Sequence, residues 1–243
     1  MALVLHDVLA RIDGALELHA MIEQEAREEE PPEHDRMSAA GRCVRDRWAT
    51  RQGIPTDPGK APTSARIQRV FALGHALEEP IIDWLRTAGF KVYLQQLEVG
   101  KGDWLGHIDG IVEWYREGSL EIQTSLLEIK TANAKKFAQL QGSSYCEWNP
   151  GYADQIQAYM RHLKNIDSAL VIVLNKDTCE LWVEEVLEDR ARGDQLAADH
   201  KIVMQDELPP RPKGANGPGS KFCKWKCDRS DWCYSPLTDT EWA

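Results

Sequence analysis

The sequence predicts an α/β protein with one mixed sheet flanked by helices, on three observations. Apolar residues recur at helical spacing through the first ninety positions. Between 91 and 131 the period drops to that of strands, and from 133 onward helical and strand-like segments alternate. A length of 243 residues is ample for one buried core with appendages.

Residues 3–30 form the first expected helix, with Leu5, Val8, Leu9, Ile12, Leu16, Met21 and Ile22 at helical spacing. It ends in an acidic run, and Pro31-Pro32 breaks it. A short helix is expected from Ser38, as N-cap, to about Thr50. The loop 53–62 is rich in Gly and Pro, and a third helix is expected from Thr63 to Ala88, stopped by Gly89. Segments 91–99, 104–115 and 120–131 read as three strands of an antiparallel meander. Helices at 133–141 and 151–164, strands at Ala169–Leu174 and Glu180–Val186, and a helix at 187–206 complete the layout. Pro209 to Gly219 connects to a cysteine-rich tail. The expected organisation is an N-terminal helix (1–36), a helix and loop (37–62), an α/β core (63–207) and the tail (208–243).

A net charge of −10 argues against a protein that coats nucleic acid. Two local zones are basic, however: Arg42, Arg45, Arg47, Arg51, Arg66 and Arg69, then Arg211, Lys213, Lys221, Lys224, Lys226 and Arg229. They fit a confined groove for a phosphate chain; the alternative is solvated surface charge. No apolar run approaches a membrane span, and the N-terminus lacks the basic start and apolar stretch of a secretory signal, so a cytoplasmic protein without membrane partners is expected.

The chemistry-bearing residues cluster in Gly106-His107-Ile108-Asp109-Gly110 and Leu126-Leu127-Glu128-Ile129-Lys130-Thr131. Alternate side chains of a strand share a face, so Glu128 and Lys130 project together while Ile129 points into the core. Asp109 from the neighbouring strand can meet Glu128 around a hard cation such as Mg²⁺. Lys130 beside them would orient or deprotonate a water. Gly106 and Gly110 allow close approach on either side of Asp109. A charged pair on an otherwise apolar strand is costly unless paired or metal-bound. The alternative is a surface salt-bridge ladder on an edge strand. Gln155 and Tyr159 stand one helical turn apart, and His75, Glu78 and Glu79 lie within one turn after Gly74.

In these residues the chain resembles the PD-(D/E)XK nuclease superfamily and, within it, the RecB-like exonucleases. That family shows a Gly-x-x-x-Glu or His-bearing helix, Gly-x-x-Asp, Glu-x-Lys and Gln-x-x-x-Tyr in the order found between Gly74 and Tyr159. The resemblance implies a restriction-endonuclease-like core. It makes Asp109 and Glu128 ligands of Mg²⁺ or Mn²⁺, with the Ile129 carbonyl as a backbone ligand and Glu78 or His75 as the upstream one. Lys130 would orient the water and stabilise charge, Gln155 and Tyr159 would bind DNA near the scissile phosphate, and His107 would support the site or simply pack. For Tyr159 the alternative is a core aromatic. The implied activity is exonucleolytic cleavage of DNA at free ends, on single strands and with a 5′→3′ lean. Phage recombination, genome breakdown, repair and CRISPR adaptation all use such a scaffold, so the chain is either a free-standing exonuclease or an end-trimming subunit beside a recombination or CRISPR-adaptation partner. Helix 3–30 is then a docking element or packs on its own domain. A third possibility is a non-catalytic protein that binds DNA or another protein.

Six cysteines in such a chain suggest metal or redox chemistry rather than disulfides. Cys223, Cys227 and Cys233 cluster in the tail, and Cys43 lies far upstream. One distant cysteine plus a C-terminal trio resembles the iron–sulfur staple of the AddB nuclease and CRISPR-associated exonucleases, which implies a [4Fe–4S] cluster. The interval between Cys223 and Cys227 is one residue longer than that family's usual spacing, and four thiolates also suit Zn²⁺. Cys146 and Cys179 have no partners at ligand spacing. Trp225 and Trp232 either stack on unpaired bases or pack against the cluster.

Overall fold

The computed structural model describes residues 2–29, 32–60, 64–115, 121–215, 217–218, 220, 223 and 227–235, with side chains of the first helix from 10 to 24. Lys221, Lys224, Trp225 and Lys226, named above, lie outside the described residues. The chain forms two compact units: His34–Gly41 with Gly74–Lys201, and Met1–Glu33 with Arg42–Leu73 and Ile202–Ala243.

The first unit holds a five-stranded mixed sheet with helices packed on it. Its strands are β2 (Lys91–Tyr93), β5 (Gly110–Tyr115), β6 (Ile122–Ala132), β7 (Ser168–Asn175) and β8 (Leu181–Leu187), adjacent in that order. Only β6 and β7 are parallel. The crossover joining them carries helices α5 (Ala134–Gln141), α6 (Tyr145–Trp148) and α7 (Pro150–Met160). Every residue of β7 is buried, the pattern of a strand covered on both faces. One face of the sheet gathers Leu126, Ala132, Phe137, Ile156 and Val171; the other gathers Ile81, Ile82, Leu127, Ile129 and Ile172.

A second, three-stranded sheet contains β1 (Asp35–Arg36), β4 (Trp104–His107) and β3 (Glu98–Lys101), with β4 central. The expected single sheet and simple meander are therefore corrected. Segment 91–99 divides into β2 and β3 because Leu94 and Gln96 take positive φ, 55° and 52°, and turn the chain between sheets. Segment 104–115 divides at Ile108-Asp109, where Ile108 inserts into the core and its N–H bonds the Leu97 carbonyl.

Two helices also differ from expectation. The stretch 63–88 breaks at Leu77 into α3 (Ala65–Ala76) and α4 (Glu78–Thr87). Pro80 has no N–H for the Ala76 carbonyl, so an unbroken helix would lose that bond and crowd its ring. Ser38 is not a helix N-cap but sits in a 3₁₀ turn, Met37–Ala39; α2 runs Val44–Arg51 with Cys43 at its N-cap. Met37 and Ala40 are core residues, and a Cβ on Gly41 would come 2.7 Å from Gly151 Cα, so this segment is pinned as a tight turn. Helix α6 sits in what reads as a polar loop, and a Ser144/Glu147 capping box starts it.

The second unit contains α1 (Ala2–Glu29), α2 and the tail with α9 (Ser230–Cys233); α8 (Arg190–Val203) ends at its border. Several of its arginines are held within the fold. Arg45, Arg47 and Arg229 are buried; Arg45 donates to the Pro209 carbonyl, and Arg229 to Ile54 O, Thr50 Oγ1 and Asp46. Arg42 pairs with Asp46 and Asp228, and Arg69 with Asp13. On α1, Ala20 is buried, whereas Ile12, Leu18, Met21 and Ile22 are exposed. No helix among the described residues is long and apolar enough to cross a membrane.

Candidate functional site

Strand β6 is the third of five, so Glu128 and Lys130 do not form a ladder on an edge strand. They share the sheet face lined by Leu126 and Ala132, while Leu127 and Ile129 fill the opposite core. The partner strand β5 stops at Gly110, opposite Leu127. Beyond that point the β5 side of β6 is open to Asp109, whose Oδ2 accepts from the Ile129 N–H at 2.7 Å. In an extended strand the carbonyl of a residue points to the same side as its N–H, so the Ile129 carbonyl faces the edge occupied by Asp109. Asp109 thus sits where the chain leaves one sheet for the other.

Glu128 is 1% exposed and forms an ion pair with Lys130 through Oε1. Oε1 is buried, and the Lys130 ammonium lies directly against it. Burial pushes the Glu128 carboxyl up to about 7; Lys130 opposes this, and Asp109 and Glu78 reinforce it. Burial likewise raises Asp109, against the pull of Lys130 and the Ile129 N–H. Glu78, at the start of α4, is raised by burial and by Asp109. Lys130 is held protonated well above its ordinary value because Glu128 and Asp109 outweigh its desolvation. Its ammonium also lies 5.1 Å from the Tyr152 ring centroid.

The structure therefore brings Glu78, Asp109, Glu128 and Lys130 into one electrostatic group. His75 lies at the margin: its side chain is 81% exposed and its Nδ1 stands 3.2 Å from Glu78 Oε1. Glu78 also accepts from Gln96 at 3.3 Å. Tyr159 is 2% exposed, accepts from Gln155 Nε2 at 3.1 Å, and is pushed up to about 12 by burial and Glu128. Gly106 backs onto this tyrosine; a Cβ there would come 2.6 Å from Tyr159 Cε1. His107 points away toward Glu98 on β3, and both are more than half exposed. The sequence reading missed Gln96, Tyr145 and Tyr152. Only the Ser-x-x-Glu capping box at 144–147 signals the helix that carries Tyr145.

No family model matches the chain, and no curated protein matches it. Among solved structures it aligns with an alkaline exonuclease (LHK-Exo) from Laribacter hongkongensis at 16% identity and a TM-score of 0.44, over 68% of this chain and 87% of that one. LHK-Exo in complex with dAMP aligns at 15% identity and 0.42, over 69% and 88%. SSO0001 aligns at 18% identity and 0.49, over 91% and 96%. Likeness at this level does not decide an activity.

In the other unit, Cys43, Cys223, Cys227 and Cys233 line one cavity together with Arg45, Asp46, Trp232 and Tyr234. All four are free thiols. Burial raises the Cys227 thiol to about 12, helped by Asp46 at 3.9 Å from its sulfur. Burial also raises Cys43 and Cys233, the latter against Arg45 and Arg211. Trp232 packs on Trp48, ring centroids 6.5 Å apart, with the Arg45 guanidinium over its ring. That packing, rather than an open face for a base, is its place in the fold. Cys146 and Cys179 are free and are not among the residues that line this cavity. As they stand, no three His, Cys, Asp or Glu side chains among the described residues are drawn together tightly enough to hold one ion.

Proposed function

We propose that the chain is a divalent-cation-dependent deoxyribonuclease acting at free DNA ends. The observation that carries this reading is a charge imbalance around a central strand: the buried Glu128 carboxylate, with Asp109 and Glu78 beside it and the Lys130 ammonium as the cation paired with it. Carboxylates gathered in excess of one ammonium, with Glu128 fully buried, are expensive unless a cation joins them. The donor set is all oxygen, which fits Mg²⁺ or Mn²⁺. Asp109 and Glu128 would hold the ion, with the Ile129 carbonyl on the same edge and Glu78, rather than the exposed His75, as the upstream ligand. A bound divalent ion supplies Lewis-acid stabilisation of a phosphoryl oxygen and makes a water more acidic. Lys130, held as an ammonium, orients that water and stabilises developing charge rather than acting as a base. Gln155 meets the substrate, and buried Tyr159 fixes Gln155. A single-stranded end, 5′→3′ polarity and a recombination or CRISPR-adaptation partner complete the proposal; these rest on the resemblance of the sequence motifs.

Four sulfurs around one cavity match, in kind, a group held by thiolates. Cys43, Cys223, Cys227 and Cys233 would hold a [4Fe–4S] cluster, or Zn²⁺ in its place, once the four close to ligand distance. Anaerobic purification discriminates: a brown protein with iron and sulfide supports the cluster, and a colourless one with stoichiometric zinc replaces it.

The activity is tested with labelled single-stranded, double-stranded and circular DNA in Mg²⁺, Mn²⁺ or EDTA. Metal-dependent loss of linear but not circular substrate is expected, abolished in Asp109→Ala. Retained turnover in that variant, or no cleavage by the parent with either metal, removes the assignment; DNA binding without cleavage would favour the non-catalytic reading.

A further inference from the structure

Helix α7 carries Tyr152, Gln155 and Tyr159 at positions i, i+3 and i+7, on one face. Gln155 and Tyr159 are joined by a hydrogen bond of 3.1 Å. Tyr152 stands at the Lys130 ammonium, which lies 5.1 Å from its ring centroid. Tyr159 is buried, whereas Tyr152 is 37% exposed. That exposure is what remains after Lys130, Tyr145 and Trp148 have made their contacts with the ring.

Tyr152 is also held in place. Asn149 caps the helix, its Oδ1 accepting from the Tyr152 N–H at 3.4 Å. The ring packs on Tyr145 and Trp148 at centroid distances of 6.5 and 6.1 Å. Tyr145 is fully buried, so Tyr152 is the solvent edge of an aromatic wall anchored in the core. A phosphodiester drawn to Lys130 brings its nucleobases with it, each tethered through one sugar. The ammonium suits the phosphate, and the ring beside it suits the flat apolar face of a base. Bases within a duplex are stacked on both sides and paired at the edge, while an unpaired end has a face to give.

We propose that Tyr152 forms a nucleobase subsite, on which one of the two bases flanking the scissile phosphate stacks, so that unpaired ends are preferred over paired ones whatever their sequence. This rests on the nuclease reading above. Removing the base at the first or second nucleotide of a single-stranded end, as an abasic unit, lowers parental kcat/KM about tenfold at one of those positions, the scale of one lost base–aromatic stack. Tyr152→Leu keeps bulk without a π-face; it loses as much on natural ends and nothing further on abasic ones. Tyr152→Trp keeps the parental preference. With Ca²⁺ replacing Mg²⁺ to hold DNA uncut, 2-aminopurine at that position is quenched on binding the parent and stays bright on Tyr152→Leu. Should the Leu variant not fold, the abasic comparison in the parent decides alone. Equal parental rates on natural and abasic ends overturn the subsite while the nuclease reading stands. A loss in Tyr152→Leu that is undiminished on abasic ends does the same, and leaves Tyr152 as a contact that steadies Lys130. A parent that cleaves no DNA with Mg²⁺ or Mn²⁺ overturns both.

Discussion

Replacing Glu128 with Gln should stabilise the cation-free protein at alkaline pH while destroying its proposed chemistry. In the unfolded chain the carboxyl titrates near 4.5, whereas burial raises it to about 7 in the fold. At ~1.4 kcal/mol per pH unit, ionising Glu128 in the folded state costs about 3 kcal/mol more than in the unfolded chain. That value already contains the favourable pull of Lys130. The folded state binds the extra proton between those two values, so parental stability falls as pH rises from 4.5 to 7 and the loss is complete above 7. Gln mimics the protonated carboxyl and escapes the loss. Urea denaturation in EDTA, followed by tryptophan fluorescence, should show Glu128→Gln more stable by about 3 kcal/mol at pH 8, shrinking toward zero near pH 4.5. Saturating Mn²⁺ should stabilise the parent alone, because only it binds the ion tightly in the folded state. No gain at pH 8, or a gain that does not shrink on acidification, would refute the claim that burial disfavours the ionised Glu128 despite its pairing with Lys130.

Gly106→Ala forces a Cβ to within 2.6 Å of Tyr159 Cε1 and 3.0 Å of Met37 Cβ, so it should cost about 1–3 kcal/mol in a urea melt and lower kcat by displacing the Gln155–Tyr159 pair. Asp57 accepts from Ser230 Oγ and from the N–H groups of Asp231 and Trp232 at the start of α9. Asp57→Ala should therefore destabilise the tail by about 1–2 kcal/mol, seen as faster proteolysis there, with Asp57→Asn milder. His162 is lowered by burial and by Arg161 and His200, so the stability it contributes is present above its ordinary 6.5 and lost as pH falls through the lower folded value. In the Glu128→Gln background, the urea midpoint should drop less on acidification below 6.5 when His162 is also changed to Gln than when it is kept, and equal profiles would contradict this.

Periodicity located β7, β8, α5 and α7 to within a few residues, because each has one composition-defined face or a wholly apolar run. It failed where a local event redirected the chain. Leu94 and Gln96 in left-handed conformations carry no sequence signature, and Pro80 does but sits inside an otherwise continuous helical pattern. For the arginine-rich zones sequence shows the charge but not the Asp46, Asp228 and carbonyl partners that take up Arg42 and Arg45.

By itself, the sequence determined the α/β class, the pairing of Glu128 with Lys130 on one strand face, and the turn that joins Gln155 to Tyr159. These follow from fixed local geometry, two residues per strand repeat and 3.6 per helical turn. Only the tertiary structure decided that β6 is central, that Asp109 enters through the gap left where β5 stops, and that Glu128 is fully buried against Lys130. Those facts depend on which strands pair and on what burial does to a charge, and neither is written in any local stretch of chain.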